Sequence, residues 1–559
     1  MQSKKSLVII SLIFYSLLLQ IHLLGSNTPL TYDSSPPTFS SLLAHSYINI
    51  ENDTAFITYG FLGDGTENEP YRIENLNITT SNDYAVFITN TTKHFLISNC
   101  LLKATTSGIW VEDVASNTVN IVNNTCNKDM IYGIEIRNAD YSFVANNTCK
   151  DNYRHGIVIG TSLNCVIANN TCIINEWIGI FLHECNFSHV ENNICRANGW
   201  GGIIADDSSG IIIKRNECYD NDYTGGIRIY GSPFSQVLEN KCEDNIPRNI
   251  QSYDSPNSII SKNNVSGTDS AFSILESQNT TICGNLCLDS EGGMLVKNSK
   301  ESKVIENSFI CSGVKFVEDI VGDYSSYTVE KNSINGKELG FFVNQNGFKI
   351  NQQKYGQLII INCNHSEIQN QMITNTTNSI SIKYCADILI KNSFLIDNIE
   401  GGVEIDQSTN INILNNTISQ NDFYGIYAQN TTSSKISFNC FEKNYLWAII
   451  LDELCKNNLV HHNSFLYNNL YYGTAQAADD GKDNLWYDIE TEEGNYWNNY
   501  VGSGNYSIDG LANAYDLYPL TEPPIYVPPN YYGYFAFFSI LLFIPIFFLV
   551  YRRYKHIKS

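Results

Sequence analysis

The sequence predicts an all-β fold, a single-stranded right-handed parallel β-helix of about 17 coils. Two periodicities locked in one phase predict it, together with a strand-favouring composition. A glycine followed by alternating aliphatics recurs at Gly133, Gly156, Gly179, Gly202 and Gly226, and returns at Gly293, Gly402 and Gly425. Fourteen residues after each stands an asparagine: Asn147, Asn170, Asn193, Asn216, Asn240, Asn307, Asn416 and Asn439. Asn124 belongs to the same column, whose usual step is 22 to 25 residues. Aromatics reach 12%, while there are only 4 Met and 13 Pro. That suits strands broken by polar turns better than helix bundles.

A period this short cannot hold a helix pair, but it fits three short strands and three turns. In the first strand Ile134 and Ile136 point inward and Glu135 outward. A second lies around residues 166–168 and a third around 170–172. Stacked coils place equivalent residues about 4.8 Å apart, so the solenoid should run roughly 80 Å. Asparagine at a fixed bend tolerates left-handed backbone and can bond the next coil, forming a ladder. A second asparagine column follows five residues later, at Asn152, Asn175, Asn198, Asn221 and Asn245. One step is anomalous: Asn332 to Asn370 spans 38 residues, and the extra segment, 336–351, is expected to project as a hairpin.

Two residues after each of six successive ladder asparagines, Asn124 to Asn240, comes a cysteine: Cys126, Cys149, Cys172, Cys195, Cys218 and Cys242. The leading expectation is an inward stack of small buried thiols. Disulfides between coils and a soft-metal column are the alternatives, but no Cys-x-x-Cys or histidine pairing marks a dedicated metal site. No cofactor and no metal ion are expected.

The formal net charge of −23 repels phosphate backbones, so nucleic acid is not an expected partner. Lys4 and Lys5 precede an apolar run ending near Leu24, which reads as a signal peptide over 1–26. An N-terminal linker (27–47), the β-helix (48–475), a C-terminal capping segment (476–522) and a Pro-rich linker (523–530) follow. The run 531–551 is long enough to span a bilayer. Arg552, Arg553, Lys555 and Lys558 mark 552–559 as a cytoplasmic tail, with the body outside the cell membrane. Asn-x-Ser/Thr sequons, for example at Asn52, Asn90, Asn186, Asn279 and Asn430, fit an extracellular glycoprotein.

Outward columns supply the candidate site. Counting from the coil glycines, His183 and Asp206 share one register, and Glu184 and Asp207 the next. Arg137 and Tyr230 flank them, and Trp177 and Trp200 stack on neighbouring coils. With Glu135 and Arg228, these ten residues form an expected ligand face. Aromatic platforms beside carboxylates suit sugar rings, which offer apolar faces and hydroxyl edges. The competing reading is an aromatic stack that merely covers a turn. His461 and His462, consecutive on a strand, should point to opposite faces, and Asp479, Asp480 and Asp483 read as a solvated acidic turn.

The flanks resemble a known family. Residues Gly63 to Asn75 look like the opening segment of NosD-like β-helix proteins, and Gly494 to Tyr500 with Asp509 and Gly510 resembles their closing motif. Asn335 to Glu338 with Gly356 to Cys363 is also similar. The resemblance implies the pectate-lyase-like coil superfamily, whose members include sugar-binding proteins, lyases and epimerases, and whose namesake is a copper-delivery accessory protein. The family's Asp-rich closing loop is thinned here between Gly504 and Asp516, which argues against structural calcium there. His155-Gly156 lacks the companion motifs of polygalacturonases. The expected function is therefore a surface-anchored, non-enzymatic scaffold binding carbohydrate or another cell-surface polymer, with membrane contact through the C-terminal helix. The alternatives are a polysaccharide lyase, epimerase or hydrolase using His183, Asp206 and Asp207, or a copper-handling accessory protein.

Overall fold

The computed structural model describes residues 42–128, 131–469 and 475–524. The expected signal peptide, the apolar run 531–551 and the tail lie outside the described residues. No helix among the described residues is long and apolar enough to cross a membrane.

From Ile48 onward the chain winds as a parallel β-solenoid. Each coil contributes one strand to each of three faces. In a representative coil these are Tyr132–Arg137 (face 1), Phe143–Ala145 (face 2) and Thr148–Lys150 (face 3). Faces 1 and 2 are each twelve strands deep, from Ile48–Ile50 to Val314–Val317 and from Tyr71–Glu74 to Thr328–Glu330. A short helix, Asp53–Tyr59, covers the N-terminal mouth. Its Asn52 cap accepts from the Thr54 and Ala55 amides, and Gly60 ends it in left-handed backbone. Phe56 enters the core and stacks on Tyr71 at 4.7 Å.

The ladders form as the spacing predicts. Asn170 accepts from the Asn147 amide (2.9 Å) and donates to the Val144 carbonyl (2.9 Å) and to Asn193 Oδ1 (3.0 Å). The pattern repeats from Asn124 through Asn147, Asn170, Asn193, Asn216 and Asn240 to Asn332. Each buried amide is thus satisfied, and each bend is tied to the next coil. The cysteines stand in register from Cys126 to Cys242, all with no exposed surface, and Cys287 rejoins the column after Val265. Burial pushes the Cys149, Cys195 and Cys242 thiols well above the ordinary range.

The glycines share a phase with the cysteines because they pack against them. A Cβ on Gly133 would stand 2.9 Å from Cys149 Sγ and 2.7 Å from the Gly156 carbonyl oxygen. Only a residue without a side chain lets face 1 approach that closely.

The extra segment expected to project as a hairpin does begin in one, but it does not project. Ser333–Ile334 turns through Asn335 and Gly336 into Lys337–Val343 as an antiparallel hairpin, and that strand pairs in parallel with Tyr355–Ile361. Face 3 thereby continues into the glycine-bearing strands of a second stack, Asn378–Lys383, Gly401–Asp406 and Tyr424–Gln429. The second stack adds two six-stranded sheets and has its own hydrophobic core. In strand Tyr355–Ile361, Ile359 and Ile361 belong to the first core while Leu358 and Ile360 belong to the second. A strand buried on both faces reads as a continuous apolar run, which residues 358–361 are.

The acidic turn is corrected at Asp479 alone, since Asp480 and Asp483 are exposed as expected. Asp479 is fully buried, not solvated, and its carboxylate accepts from Trp486 Nε1, the Gly481 amide and Asn484 Nδ2, each at 2.9 Å. Asp516 accepts likewise from Trp497 Nε1 (2.9 Å) and the Asn495 amide (2.7 Å). Indole N–H groups occupy the carboxylates while Phe465, Trp497 and Tyr506 stack at 4.0 and 4.1 Å to close the C-terminal end.

Candidate functional site

Eight of the ten expected ligand residues lie on or beside face 1, in three clusters instead of one continuous row. At the N-terminal end, Glu135 lies in register between Trp110 and Val158 and has no exposed surface. Its outward position along the strand is as expected, yet its expected exposure is not found. Arg137 Nε donates to Glu135 Oε1 at 2.6 Å and its guanidinium lies 5.4 Å over the Trp110 ring. Loss of hydration outweighs this attraction, so the Glu135 carboxyl is pushed up to about 7.

In the middle, Trp177 and Trp200 meet edge to face at 4.5 Å, and Trp200 meets Tyr223 at 5.1 Å. Arg154 lies 4.8 Å over Trp177, and His155 packs against Tyr132, Trp177 and Phe181. Burial, aided by the Arg154 charge, brings the His155 imidazole down to about 4 and keeps it neutral. The indoles are half-buried.

At the C-terminal end, His183, Asp206 and Tyr230 stand in register on three successive strands. Tyr230 stacks on Tyr253 at 5.3 Å, and Arg228 lies 4.8 Å over Tyr230. Burial raises the Asp206 carboxyl, against the opposing pull of Arg228. Glu184 and Asp207 do not join the cluster. Both are exposed with left-handed φ (54° and 50°), at the turn where the chain leaves the sheet.

Trp110, Arg154, His155 and Tyr253 were not among the expected ligand residues. Trp110 precedes the first coil carrying the full glycine–asparagine spacing, so glycine counting passes over it, although it occupies the column of Glu135.

Buried polar atoms without a protein partner gather on this face. They include Ser107 Oγ, Trp110 Nε1, Glu135 Oε2, Asp206 Oδ1, Arg228 Nε and Ser273 Oγ. Each belongs to a face 1 strand.

Two further features stand apart. His461 and His462 converge, contrary to expectation: their Nδ1 atoms are 2.6 Å apart, because His462 adopts φ 55° and breaks the strand alternation. His462 Nε2 meets Glu493 at 2.6 Å, so His461 Nδ1 donates to His462 Nδ1 when both rings are neutral. On the second stack, Asn364, Tyr384, Gln407, Ser408, Thr409, and Thr432 line an open polar groove of about 440 Å³.

The family matches agree with the fold. Residues 179–323 and 321–506 match the family described as periplasmic copper-binding protein (NosD), and residues 59–199 match the right-handed β-helix region. No curated protein matches. Among solved structures, the periplasmic alginate epimerase AlgG is 16% identical over 52% of this chain and 85% of its own, with a TM-score of 0.29. The catalytic domain of a GH87 α-1,3-glucanase is 12% identical over 71% of this chain and 65% of its own, with a TM-score of 0.22. The family 28 exopolygalacturonase of Yersinia enterocolitica is 9% identical over 78% of each chain, with a TM-score of 0.22. The NosD match extends over more than half of the sequence, and the chain belongs to the NosD family.

Proposed function

We propose that the protein is a membrane-anchored scaffold that binds carbohydrate on the outward side of face 1, between Trp110 and Tyr253. The observation that carries the reading is the run of partly exposed rings on one sheet and its edge, Trp177, Trp200 and Tyr223 followed by Tyr230 and Tyr253, beside His183 and Asp206. A sugar chain laid along the coils would meet rings and polar groups at the coil pitch of about 4.8 Å. The charge pattern around the run 531–551 supports an anchor that leaves this face outside the cell. The test is a glycan array with the full-length chain, followed by Trp177→Ala combined with Trp200→Ala. Loss of binding with unchanged β-sheet circular dichroism supports the assignment; retained binding places the ligand elsewhere.

Copper enters through the family's description, and the donors as placed do not fit a resident copper ion. Among the described residues, no three His, Cys, Asp or Glu side chains stand where they could hold one ion. The six stacked thiols are sealed inside the coil. The His461–His462 pair is closed on itself and on Glu493.

A further inference from the structure

The last strand of face 1, Val314–Val317, ends against the second stack, and Gln357 joins the two. Its side chain accepts from the Val314 amide at 2.9 Å and donates to the Val314 carbonyl and to Thr377 Oγ1, each at 3.0 Å. A side chain thus copies the hydrogen bonds of a neighbouring strand and holds the next residue, Lys315, in place. Beside it lies Asn378, the first residue of Asn378–Lys383, with 1% of its surface exposed. Lys315, Asn378, Lys383 and Glu404 line one cavity of about 10 Å³, room for a single water at most.

Lys315 Nζ pairs with Glu400 Oε2, and the same oxygen accepts from Asn378 Nδ2 at 3.2 Å. One carboxylate oxygen therefore touches both an amine and a carboxamide nitrogen. The carboxamide oxygen is engaged separately, since the Tyr424 hydroxyl donates to Asn378 Oδ1 at 3.0 Å. Asn378, Gly401 and Tyr424 are in register on successive coils, so Tyr424 reaches Asn378 across Gly401. A Cβ on Gly401 would stand 2.1 Å from Tyr424 Cε2 and block that reach. Burial, with the Glu404 and Glu400 charges, raises the Tyr424 hydroxyl, which keeps its proton to donate. Lys383 has a counter-charge of its own in Glu404, at 3.5 Å, and Ser381 Oγ donates to the same Glu404 at 2.9 Å. Glu400 is left to serve Lys315 and Asn378.

An amine, an amide carbonyl polarised by a hydroxyl, and a carboxylate touching both the amine and the leaving nitrogen are the parts of an amide exchange. We infer that Lys315 and Asn378 condense into an intramolecular isopeptide bond, with Glu400 as the proton carrier. Glu400 takes a proton from the Lys315 ammonium, and the freed Nζ lone pair attacks Asn378 Cγ. The C–O π electrons move onto Oδ1, where Tyr424 stabilises the charge. Glu400 passes its proton to Nδ2, the Cγ–Nδ2 bond breaks, and the excess proton on Nζ leaves with the ammonia. Overall an ammonium side chain and a carboxamide become a secondary amide and an ammonium ion, and nothing is oxidised or reduced. The bond ties the end of the first core to the second stack, beside the segment 333–361 that leaves the repeat. It is independent of the carbohydrate reading, since none of these residues lies between Trp110 and Tyr253.

The experiment is peptide mass mapping of the wild-type full-length chain after trypsin and removal of N-linked glycans. It should yield residues 304–331 joined to residues 355–383, uncut after Lys315 and lighter than the two peptides together by one ammonia. Separate peptides of full mass, with cleavage after Lys315, would overturn the inference and leave an ordinary ion pair. Glu400→Gln should slow formation of the link about a hundredfold or more, with the β-sheet circular dichroism unchanged. A link that forms in Glu400→Gln as fast as in the wild type would remove Glu400 as the proton carrier, and the inferred reaction with it. The wild-type map decides whether the bond exists even where the variant fails to fold.

Discussion

Replacing Asn170 by alanine removes one rung from the middle of the first stack. The side chain has no exposed surface and takes part in four hydrogen bonds. It accepts from the Asn147 amide and from Asn147 Nδ2, and it donates to the Val144 carbonyl and to Asn193 Oδ1. At about 1 kcal/mol net for each, the loss is about 4 kcal/mol, because the partners stay buried without a substitute. Solenoid stability is a sum of local terms, so the effect should concentrate on the neighbouring coils. The assay is native-state hydrogen exchange resolved to single amides. The Asn147 amide should exchange about a thousandfold faster, with smaller changes over residues 144–195 and none beyond Val314. Lys150→Ala, at an exposed site one strand away, serves as the control. A loss below about 1 kcal/mol at Asn147 would refute the claim that the ladder holds the coils together.

Glu135 should make local stability depend on pH. Its folded pKa is raised to about 7 from the ordinary 4.5, so the folded state keeps a proton that the unfolded state releases across that window. Its contribution is fully present below pH 4.5 and declines by about 3 kcal/mol as pH rises to 7; Glu135→Gln should remove that decline in exchange measured over residues 132–137. The opposite sign holds for His155, whose depressed pKa of about 4 makes acid destabilise its coil as pH falls below 6.5; His155→Phe should be insensitive there. Thiol reagent on the native chain should modify the exposed Cys311 first, and the Cys126 to Cys242 column only on unfolding; rapid labelling of Cys172 would show that the core is open. Ile359→Asp should disrupt the end of the first core and leave the Phe441–Phe465 stack of the second intact by near-UV circular dichroism, since the two cores are separate clusters.

The coil was readable because identical residues face identical surroundings. Gly133, Gly156, Gly179 and Gly202 each accommodate a cysteine of the next coil, and the ladder asparagines bond their equivalents, so one spacing carries the register. The divided core was not readable from that spacing, because residues 333–361 leave the repeat. Its sign was instead the unbroken apolar run Leu358 to Ile361, which marks a strand buried on both sides. The outward positions on face 1 were legible, since they follow from strand alternation. Exposure was misjudged at Glu135 because its cover comes from Trp110 and Arg137, whose contacts depend on rotamers. His461 and His462 were misplaced because nothing in a histidine pair announces left-handed backbone. Asp479 was misread because Trp486, seven residues on, folds back onto it.

The central claim, that face 1 carries the ligand, is tested most directly by a hydrogen-exchange footprint of the full-length chain with and without a saturating oligosaccharide. Protection should appear in Ser107–Glu112, Tyr132–Arg137, Ile178–His183, Gly201–Asp206 and Ile227–Tyr230, and should leave the second stack unchanged. Protection confined to the groove between Asn364 and Thr432, or none on face 1, would contradict it.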